Sequence, residues 1–225
     1  MRSGLLQIYT CLEDEYGPQH WWPGETRFEV MVGAILTQSA AWTNVEKCIT
    51  NLKAENMLSP QALRKIPLEK LAQLVHPSGY FNAKAAKIKA FVHWLGERYG
   101  DDLDRLFAAD IADLRNQLLS VHGIGEETAD SIILYAGYKP IFVIDAYTRR
   151  IMERLGLGPA DKTYAAYQAI FMTHLTKDER LFNEYHALFV RHGKERCKKK
   201  SPLCEGCCLG ALCTFGSGYT NRVPV

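Results

Sequence analysis

Two groups of residues in this chain of 225 residues have types and spacing that suit chemistry, and the first is a lone acid. Asp145 follows the apolar run 141–144 and precedes an apolar pattern of helical period. An aspartate at a helix start caps the helix, which is worth about 1 kcal/mol. The same position keeps the carboxylate ionised, so that it can face a developing positive charge. The residues alone leave both roles open, and the two roles are compatible.

The second group is a set of four cysteines near the C-terminus. Their spacing is C-x6-C-x2-C-x5-C, and they are Cys197, Cys204, Cys207 and Cys213. Four thiolates within seventeen residues suit one metal centre, which the spacing alone allows to be zinc or an iron–sulfur cluster. Cys208 is an extra neighbour, whereas Cys11 and Cys48 lie on apolar faces and we expect them to be buried.

A glycine turn lies upstream of Asp145. Leu118 and Leu119 end one helix, the sequence His-Gly-Ile-Gly at 122–125 reverses the chain, and a second helix starts at Glu126. Glycine enters positive φ without a steric penalty, so the pattern predicts a helical hairpin. The first amides of the second helix have no partners within it and attract phosphate. We expect that such a hairpin would hold a DNA strand without reading its sequence.

The rest of the chain has the periodicity of helices. The nearly continuous apolar segment 28–38 predicts a buried helix, because it is long and contains no turn signal. On the helix predicted at 83–99, we expect Lys84, Lys87 and Lys89 to lie on the solvated face. About ten helical segments and no convincing strand pair predict an all-α fold.

Composition describes an ordinary globular protein, with 47% hydrophobic and 23% charged residues. The net charge of +2 is only mildly basic, so nucleic-acid binding must depend on local patches. One candidate patch, which is either a phosphate-binding surface or simply solvated, comprises Arg191, Lys194, Arg196, Lys198, Lys199 and Lys200. The sequence contains neither a recognisable signal peptide nor the roughly 20 apolar residues of a membrane span. We therefore expect a cytoplasmic protein without a membrane partner.

Taken together, the glycine hairpin, Asp145 and the cysteine spacing make the sequence similar to the helix-hairpin-helix (HhH-GPD) DNA glycosylase superfamily, and to endonuclease III in particular. In that family the hairpin grips phosphate, so the resemblance implies DNA-binding roles for Gly123 and Gly125. It implies that Asp145 is the catalytic residue for cleavage of the N-glycosidic bond. It also implies that the four cysteines bind a [4Fe-4S] cluster, with zinc as the alternative.

The family's layout implies two helical lobes. The first would be a six-helix barrel with the helix-hairpin-helix, over residues 22–138. The second would combine residues 1–21 with 139–225 and would include the cluster loop 197–213. The substrate cleft would lie between the lobes. The expected partner is damaged double-stranded DNA, bound by a monomer in a bacterial or archaeal cytosol.

Three further positions correspond to functional positions of the endonuclease III family, and two of them match it. The segment SGYFNAKA points to Tyr80, whose counterpart fills the gap left by a flipped base, and LTQ points to Gln38, whose counterpart enters the duplex. Without the resemblance, these would be an exposed loop aromatic and a helix-end amide. Bifunctional relatives carry a nucleophilic lysine two residues after the second glycine, where this chain has Glu127. A carboxylate cannot form a Schiff base, so the resemblance implies base excision without strand cleavage.

A closer resemblance is to the bacterial 3-methyladenine DNA glycosylase III group. The similar segments are WWPGETRFEVMVGAILTQ, HPSGYFNAKAAKI and HGIGEETADSIILY. The resemblance implies a base pocket lined by Trp21, Trp22, Pro23, Trp42 and, from the HGK stretch, Lys194. From the residues alone, the tryptophan pair would instead be a core plug.

Alkylated purines leave readily, so a lone aspartate and an aromatic pocket would suffice to release them. The resemblance therefore implies a monofunctional glycosylase for alkylated purines such as 3-methyladenine. The cysteine loop, however, departs from the best-known example of the 3-methyladenine group. Two alternatives stay open for this reason: a glycosylase for mismatched or oxidised bases, and a non-catalytic iron–sulfur protein that binds damaged DNA.

Overall fold

The computed structural model describes residues 1–216, and it confirms the predicted all-α class, with 66% helix and no strand in that part of the chain. Its α-helices are, in chain order, α1 (Arg2–Tyr16), α2 (Arg27–Leu36), α3 (Trp42–Ala54), α4 (Pro60–Lys65), α5 (Leu68–Leu74), α6 (Phe81–Tyr99), α7 (Leu103–Ala108), α8 (Ile111–Leu119), α9 (Glu126–Ser131), α10 (Ala146–Arg154), α11 (Tyr164–His174) and α12 (Glu179–Glu195). A π-helical turn, Ile132–Ala136, continues α9. Residues 217–225 of the predicted second lobe lie outside the described range. Every described helix is too short or too polar to span a lipid bilayer.

The chain divides into two compact units, one continuous and one made from both chain ends. Residues 22–139 form the continuous unit, and residues 1–21 join the described residues 140–216 in the other. In the continuous unit, every residue of which is described, eight α-helices occupy the range predicted to form a six-helix barrel. Three of the eight, α4, α7 and α9, are only six residues long.

Four of the eight α-helices of the continuous unit begin at a residue whose side chain caps them. The Thr26 hydroxyl accepts a hydrogen bond from the Glu29 amide at the start of α2, which satisfies one of the unpaired amides of the first turn. Helix α2 is buried along most of its length, as its apolar sequence predicts. Helix α6 buries Ala85, Ile88 and Val92 at helical spacing, so one face of this long helix lies in the core.

One lysine of α6 contradicts the predicted solvated face. Lys84 is only 2% exposed, and its Nζ atom donates hydrogen bonds to two backbone carbonyl oxygens. A helix of nineteen residues at the centre of the unit has neighbours on several sides, so a polar residue on it can still be buried. Burial disfavours the charged form and lowers the pKa of Lys84.

The unit made from the chain ends has an aromatic core. Phe142 stacks on Phe171 with ring centroids 3.8 Å apart, and it meets the rings of Phe182 and Tyr185 edge-on. Such pairs contribute about 0.5–1.5 kcal/mol beyond the area that they bury. Helix α1 joins this core, because the Tyr185 hydroxyl donates to the Leu5 carbonyl at 2.8 Å. The core therefore fixes the segment that immediately precedes α10.

Candidate functional site

Asp145 follows a buried segment whose backbone is held by side chains. Residues 141–144 have no regular secondary structure. The Gln168 amide donates to the Phe142 carbonyl at 2.7 Å, and Ile144 N donates to the Tyr164 hydroxyl at 3.2 Å. These bonds satisfy backbone groups that burial removes from water. Asp145 is thus placed by a rigid segment of the core.

The Asp145 side chain caps α10, as its position in the sequence predicted. Its Oδ1 atom accepts a hydrogen bond from Thr148 N at 2.7 Å, and the residue is only 8% exposed. Its Oδ2 atom lies 3.7 Å from Nε2 of His186 on α12. No sequence pattern indicated this neighbour, because His186 lies on the apolar face of its helix beside Tyr185 and Phe189.

A neutral imidazole faces the Asp145 carboxylate at neutral pH. Burial lowers the pKa of His186, and the nearby charge of Asp145 only partly opposes that effect. A positively charged histidine would neutralise the carboxylate, whereas a neutral one leaves its negative charge to act on a third group. The pair is therefore arranged to stabilise positive charge elsewhere.

The buried histidine predicts that stability falls in weak acid. The pKa of His186 in the folded chain lies below its unfolded value of about 6.5, so the unfolded chain binds a proton first as the pH falls. The free energy of unfolding should therefore decrease from about pH 6.5 downwards, by at most about 1.4 kcal/mol per pH unit, until the folded-state pKa is reached. Denaturant titrations at several pH values measure this slope. His186→Gln should reduce it, and an unchanged slope would contradict the assignment.

The predicted glycine hairpin joins α8 to α9, but its two glycines have different conformations. Gly123 has φ +82°, which favours glycine. A Cβ atom there would also lie within 2.8 Å of the Lys87 side-chain carbons. Gly125 is extended, with φ −95°, and a Cβ atom there would meet nothing within 4 Å. The expectation of positive φ thus holds only for Gly123, whereas Gly125 leaves open space at the start of α9.

We expect alanine substitutions to separate these two roles. Gly123→Ala should lower the free energy of unfolding by about 1–2 kcal/mol, because it forces positive φ on a side chain and displaces Lys87. Gly125→Ala should change stability by less than about 0.5 kcal/mol. It should nevertheless weaken binding to undamaged duplex DNA, because its methyl group obstructs the open amides. Chemical unfolding and fluorescence anisotropy measure the two effects, and equal destabilisation by both variants would contradict this reading.

Gln38 is bonded to the hairpin. Its Nε2 atom donates to the Gly123 carbonyl at 3.0 Å and to the Thr128 hydroxyl at 2.9 Å. Its Oε1 atom accepts from Lys87 Nζ at 2.5 Å. These partners fix which way the amide points, since only its nitrogen can donate. Sequence reasoning missed Lys87, which was predicted to be merely solvated.

Tyr80 has the exposure expected of an inserting residue. It is 77% exposed, immediately precedes α6 and has φ +46°. A tyrosine in this left-handed region is strained by about 1–2 kcal/mol. An exposed aromatic ring in a strained loop is available to stack on bases, as the resemblance implies, and its role stays a prediction.

Trp22 and Trp42 of the continuous unit form an aromatic group with a residue that the sequence did not reveal. The Trp22 ring lies edge-on to Trp42 at 5.2 Å between centroids and 5.1 Å from the ring of Tyr135. Gly33 permits this packing, because a Cβ atom there would lie 3.3 Å from the Trp22 indole nitrogen. Both tryptophans remain partly exposed, whereas Tyr135 is buried in the π-helical turn.

Trp21 and Lys194 form a second pair, in the unit made from the chain ends. The Lys194 ammonium lies 5.8 Å from the Trp21 ring centroid, within the range of a cation–π contact. Trp21 is partly exposed and Lys194 is exposed. Pro23, the remaining pocket residue predicted, is exposed in the segment before α2.

All four predicted metal ligands line one small cavity, together with apolar side chains. Burial is the largest cause that raises the pKa of Cys204, and the charges of Cys207, Cys213 and Cys197 raise it further. Four crowded thiolates repel one another unless a shared cation neutralises them. The donor set therefore fits a four-thiolate centre, either a [4Fe-4S] cluster or zinc.

The two other cysteine predictions have different outcomes. Cys208 does not line the cavity, although its sulfur lies with Cys207 and His192 in a group whose ligand atoms are all within 4.8 Å. Cys48 is fully buried as predicted. Cys11 is only half-buried, so the expectation of burial is wrong for this residue.

Two arginines of α10 hold the cysteine loop. Arg150 donates to the carbonyls of Cys197 and Gly193, and Arg154 donates to the Cys197 sulfur at 3.2 Å and to the Lys198 carbonyl.

The predicted basic patch contains both paired and exposed cations. Arg191 and Arg196 lie near Glu195 and Glu15 in ion pairs, whereas Lys198, Lys199 and Lys200 are exposed.

Comparison with known proteins agrees with the resemblance read from the sequence. The profile described as HhH-GPD superfamily base excision DNA repair protein matches residues 32–177. A protein of Methanocaldococcus jannaschii that carries the provisional name of DNA repair glycosylase is 44% identical, over 93% of this chain and 95% of its own length.

Two solved structures share the fold. The 3-methyladenine DNA glycosylase of H. pylori bound to 1,N6-ethenoadenine aligns with a TM-score of 0.73 and 25% identity, over 85% of this chain and 97% of its own. A non-covalent endonuclease III–DNA complex aligns with a TM-score of 0.84 over 99% of both chains. Its identity of 22% shows likeness of fold alone.

Proposed function

Because the chain belongs to the HhH-GPD superfamily of base excision DNA repair proteins, we propose that it is a monofunctional DNA glycosylase acting on alkylated purines such as 3-methyladenine. The observation that carries the proposal is the Asp145 carboxylate, which is held at a helix start and faced by a neutral imidazole. The substrate is damaged double-stranded DNA, bound by a monomer. The open amides at Gly125 and the turn at Gly123 grip a phosphate of that DNA.

Asp145 acts on the sugar. As the bond between C1′ and the base nitrogen breaks, the bonding electrons leave with the base and the deoxyribose becomes an oxocarbenium-like cation. The carboxylate stabilises that cation and orients a water molecule. The water oxygen then bonds to C1′ and releases its proton, leaving an abasic site and a free base. An alkylated purine is already cationic, so it leaves as a neutral base without a general acid.

The indoles are proposed to receive the base. Trp22 and Trp42 suit stacking, because they are partly exposed and held in place by Gly33 and Tyr135. Electron-rich ring faces favour a cationic purine over a neutral one. Trp21 differs, since the Lys194 ammonium already lies over its ring. We therefore assign most of the selectivity to Trp22 and Trp42, with Pro23 next to Trp22 in sequence.

Strand cleavage is not part of the proposed activity. Glu127 is exposed in the first turn of α9, where an amine nucleophile would be needed. The nearby amine of Lys87 is engaged with Gln38. A duplex processed by the protein should therefore contain abasic sites but no nicks until it is treated with alkali.

The cysteine centre is proposed to be structural. Cys197, Cys204, Cys207 and Cys213 would hold a [4Fe-4S] cluster as thiolates. When bound, the cluster would cross-link the loop that Arg150 and Arg154 attach to α10, and it would take no part in the hydrolysis. The exposed lysines of this loop are available to contact phosphate.

A panel of lesions tests the proposed specificity. Duplexes containing 3-methyladenine, a mismatch, an oxidised purine or an oxidised pyrimidine are incubated with excess protein, and both free base and nicks are measured. Release of 3-methyladenine alone would support the proposal. The cavity lined by the four cysteines favours the second candidate, a glycosylase for mismatched or oxidised bases, because the cysteine loop departs from the best-known example of the 3-methyladenine group. Release of mismatched or oxidised bases would establish this candidate. Nicking without alkali would contradict the argument from Glu127.

A further inference from the structure

Two loops of the continuous unit carry the residues predicted to enter the duplex, and one buried side chain is bonded to the backbone residue that directly precedes each loop. Lys84 Nζ donates to the Leu36 carbonyl at 2.8 Å and to the Ser78 carbonyl at 2.6 Å. Leu36 lies two residues before Gln38, and Ser78 lies two residues before Tyr80. A single ammonium group thus connects the end of α2 with the end of the 3-10 turn His76–Ser78, about forty residues later in sequence, and one of the two loops starts from each of these ends.

Both loops contain backbone conformations that need support. Tyr80 has φ +46° and Ser39 has φ +53°, and residues other than glycine are strained there. Such strain persists only where the surrounding structure determines the conformation. Ser78 supplies part of that support, because it is buried and its hydroxyl donates to the Val75 carbonyl at 2.8 Å. The Lys84 bond fixes the Ser78 carbonyl from the other side.

A lysine is a costly means of joining two loops. An ammonium group that is removed from water loses several kcal/mol of solvation free energy. Its hydrogen bonds to the carbonyl oxygens offset only part of that loss. An apolar side chain of similar length would fill the same space without this cost. It would not provide two directed hydrogen bonds, which set the two carbonyl positions relative to each other.

We propose that Lys84 is a positioning residue that holds the Gln38 and Tyr80 loops, before DNA arrives, in the arrangement that fills the gap left by a flipped base. The inference rests on the proposed glycosylase function, which creates that gap. Pre-organisation matters because the apparent affinity falls in proportion to the fraction of molecules that have the competent arrangement. If a variant without the ammonium group has the loops correctly placed only a tenth of the time, its affinity for a duplex that lacks one base falls about tenfold.

Lys84→Met tests the proposal, because methionine keeps an unbranched apolar stem and removes both hydrogen bonds. Lys89→Met is the matched control. Lys89 lies on the same helix, and its Nζ atom also donates to two backbone carbonyls, but these belong to Arg64 and Ile66 at the end of α4. Burial lowers the pKa of Lys89 as well. The control therefore removes an equivalent clamp outside both loops.

Fluorescence anisotropy compares an undamaged duplex with the same duplex containing a tetrahydrofuran abasic-site analogue. Lys84→Met should weaken binding to the analogue about tenfold and change binding to the undamaged duplex by less than about twofold, since the phosphate grip is intact. Lys89→Met should lower the unfolding midpoint but leave both affinities unchanged. If Lys84→Met does not fold, Lys84→Gln, which is too short to reach both carbonyls, replaces it.

A double-mutant cycle distinguishes positioning from general destabilisation. In a variant with Gln38→Ala and Tyr80→Ala, no inserting side chains remain to be positioned, so Lys84→Met should cause no further loss of binding to the analogue. A further tenfold loss there, or equal weakening of both duplexes, would overturn the proposal. So would a Lys84→Met protein that prefers the analogue as strongly as the wild type does. A wild type without any preference for the analogue would instead overturn the glycosylase function, and with it the role of the gap.

Discussion

Asp145→Asn should reduce the release of 3-methyladenine from duplex DNA by at least about 100-fold, the effect of removing one pre-organised electrostatic group from an active site. The amide has no charge with which to stabilise the cationic sugar. Asparagine caps helices as well as aspartate does, so stability should change by less than about 0.5 kcal/mol. The measurement is single-turnover base release with protein in excess, accompanied by thermal unfolding.

Two further variants show whether the cap or the charge is responsible. Asp145→Ala should lose the same activity and, in addition, about 1 kcal/mol of stability, because it also removes the cap. Asp178→Asn is the control at another helix start, where the side chain caps α12 by accepting from Leu181 N. It should leave base release unchanged. Base release that survives Asp145→Asn would remove Asp145 from the mechanism, whereas binding to damage without release by the wild type would favour a non-catalytic protein.

Cys204→Ser should empty the cysteine centre and lower the unfolding midpoint by about 10 °C, the shift expected for a loss of about 3 kcal/mol in a chain of this length. The cysteine side chains of the loop 197–213 line one cavity. Without a metal bound there, no cation joins the four thiols to one another. Iron, acid-labile sulfide and zinc analyses, together with the visible absorbance of a brown preparation, identify what the wild type contains.

Cys208→Ser is the matched control for that substitution. Cys208 is adjacent to a predicted ligand but does not line the cavity, so its replacement should retain the metal and alter stability by less than about 0.5 kcal/mol. Metal loss from Cys208→Ser with retention by Cys204→Ser would show that the group containing His192, Cys207 and Cys208 is the true centre. A colourless wild type with one zinc per chain would refute the cluster and leave the four-thiolate site.

The features that sequence predicted correctly are local. The helix start at Asp145, the hairpin at 122–125 and the end of α8 at Leu119 depend on caps, glycines and periodicity within a few residues. The cysteine spacing is also a local pattern, because the four predicted ligands lie within one loop, and their role stays a prediction. Such patterns can be recognised without knowing what packs against them.

The features that sequence missed depend on contacts between distant residues. The spacing of Lys84, Lys87 and Lys89 resembles a solvated face, yet each ammonium group is bonded to another element. His186 could not be distinguished from an ordinary polar residue on an apolar helix. The open space at Gly125 likewise depends on how the surrounding residues pack, because no atom lies within 4 Å of where its Cβ would be. Tertiary packing, which periodicity does not encode, decides all of these.

The unit made from the chain ends also constrains how the protein can be synthesised. Helix α1 presents the apolar residues Leu5, Ile8 and Leu12, and Leu5 is bonded to Tyr185, 180 residues later. At about 5–20 residues per second, α1 leaves the ribosome roughly 10–40 s before its partner exists. All residues of the continuous unit are synthesised during that interval. The first helix to emerge is therefore among the last to be buried, and its apolar stripe is open to chaperones until translation is nearly finished.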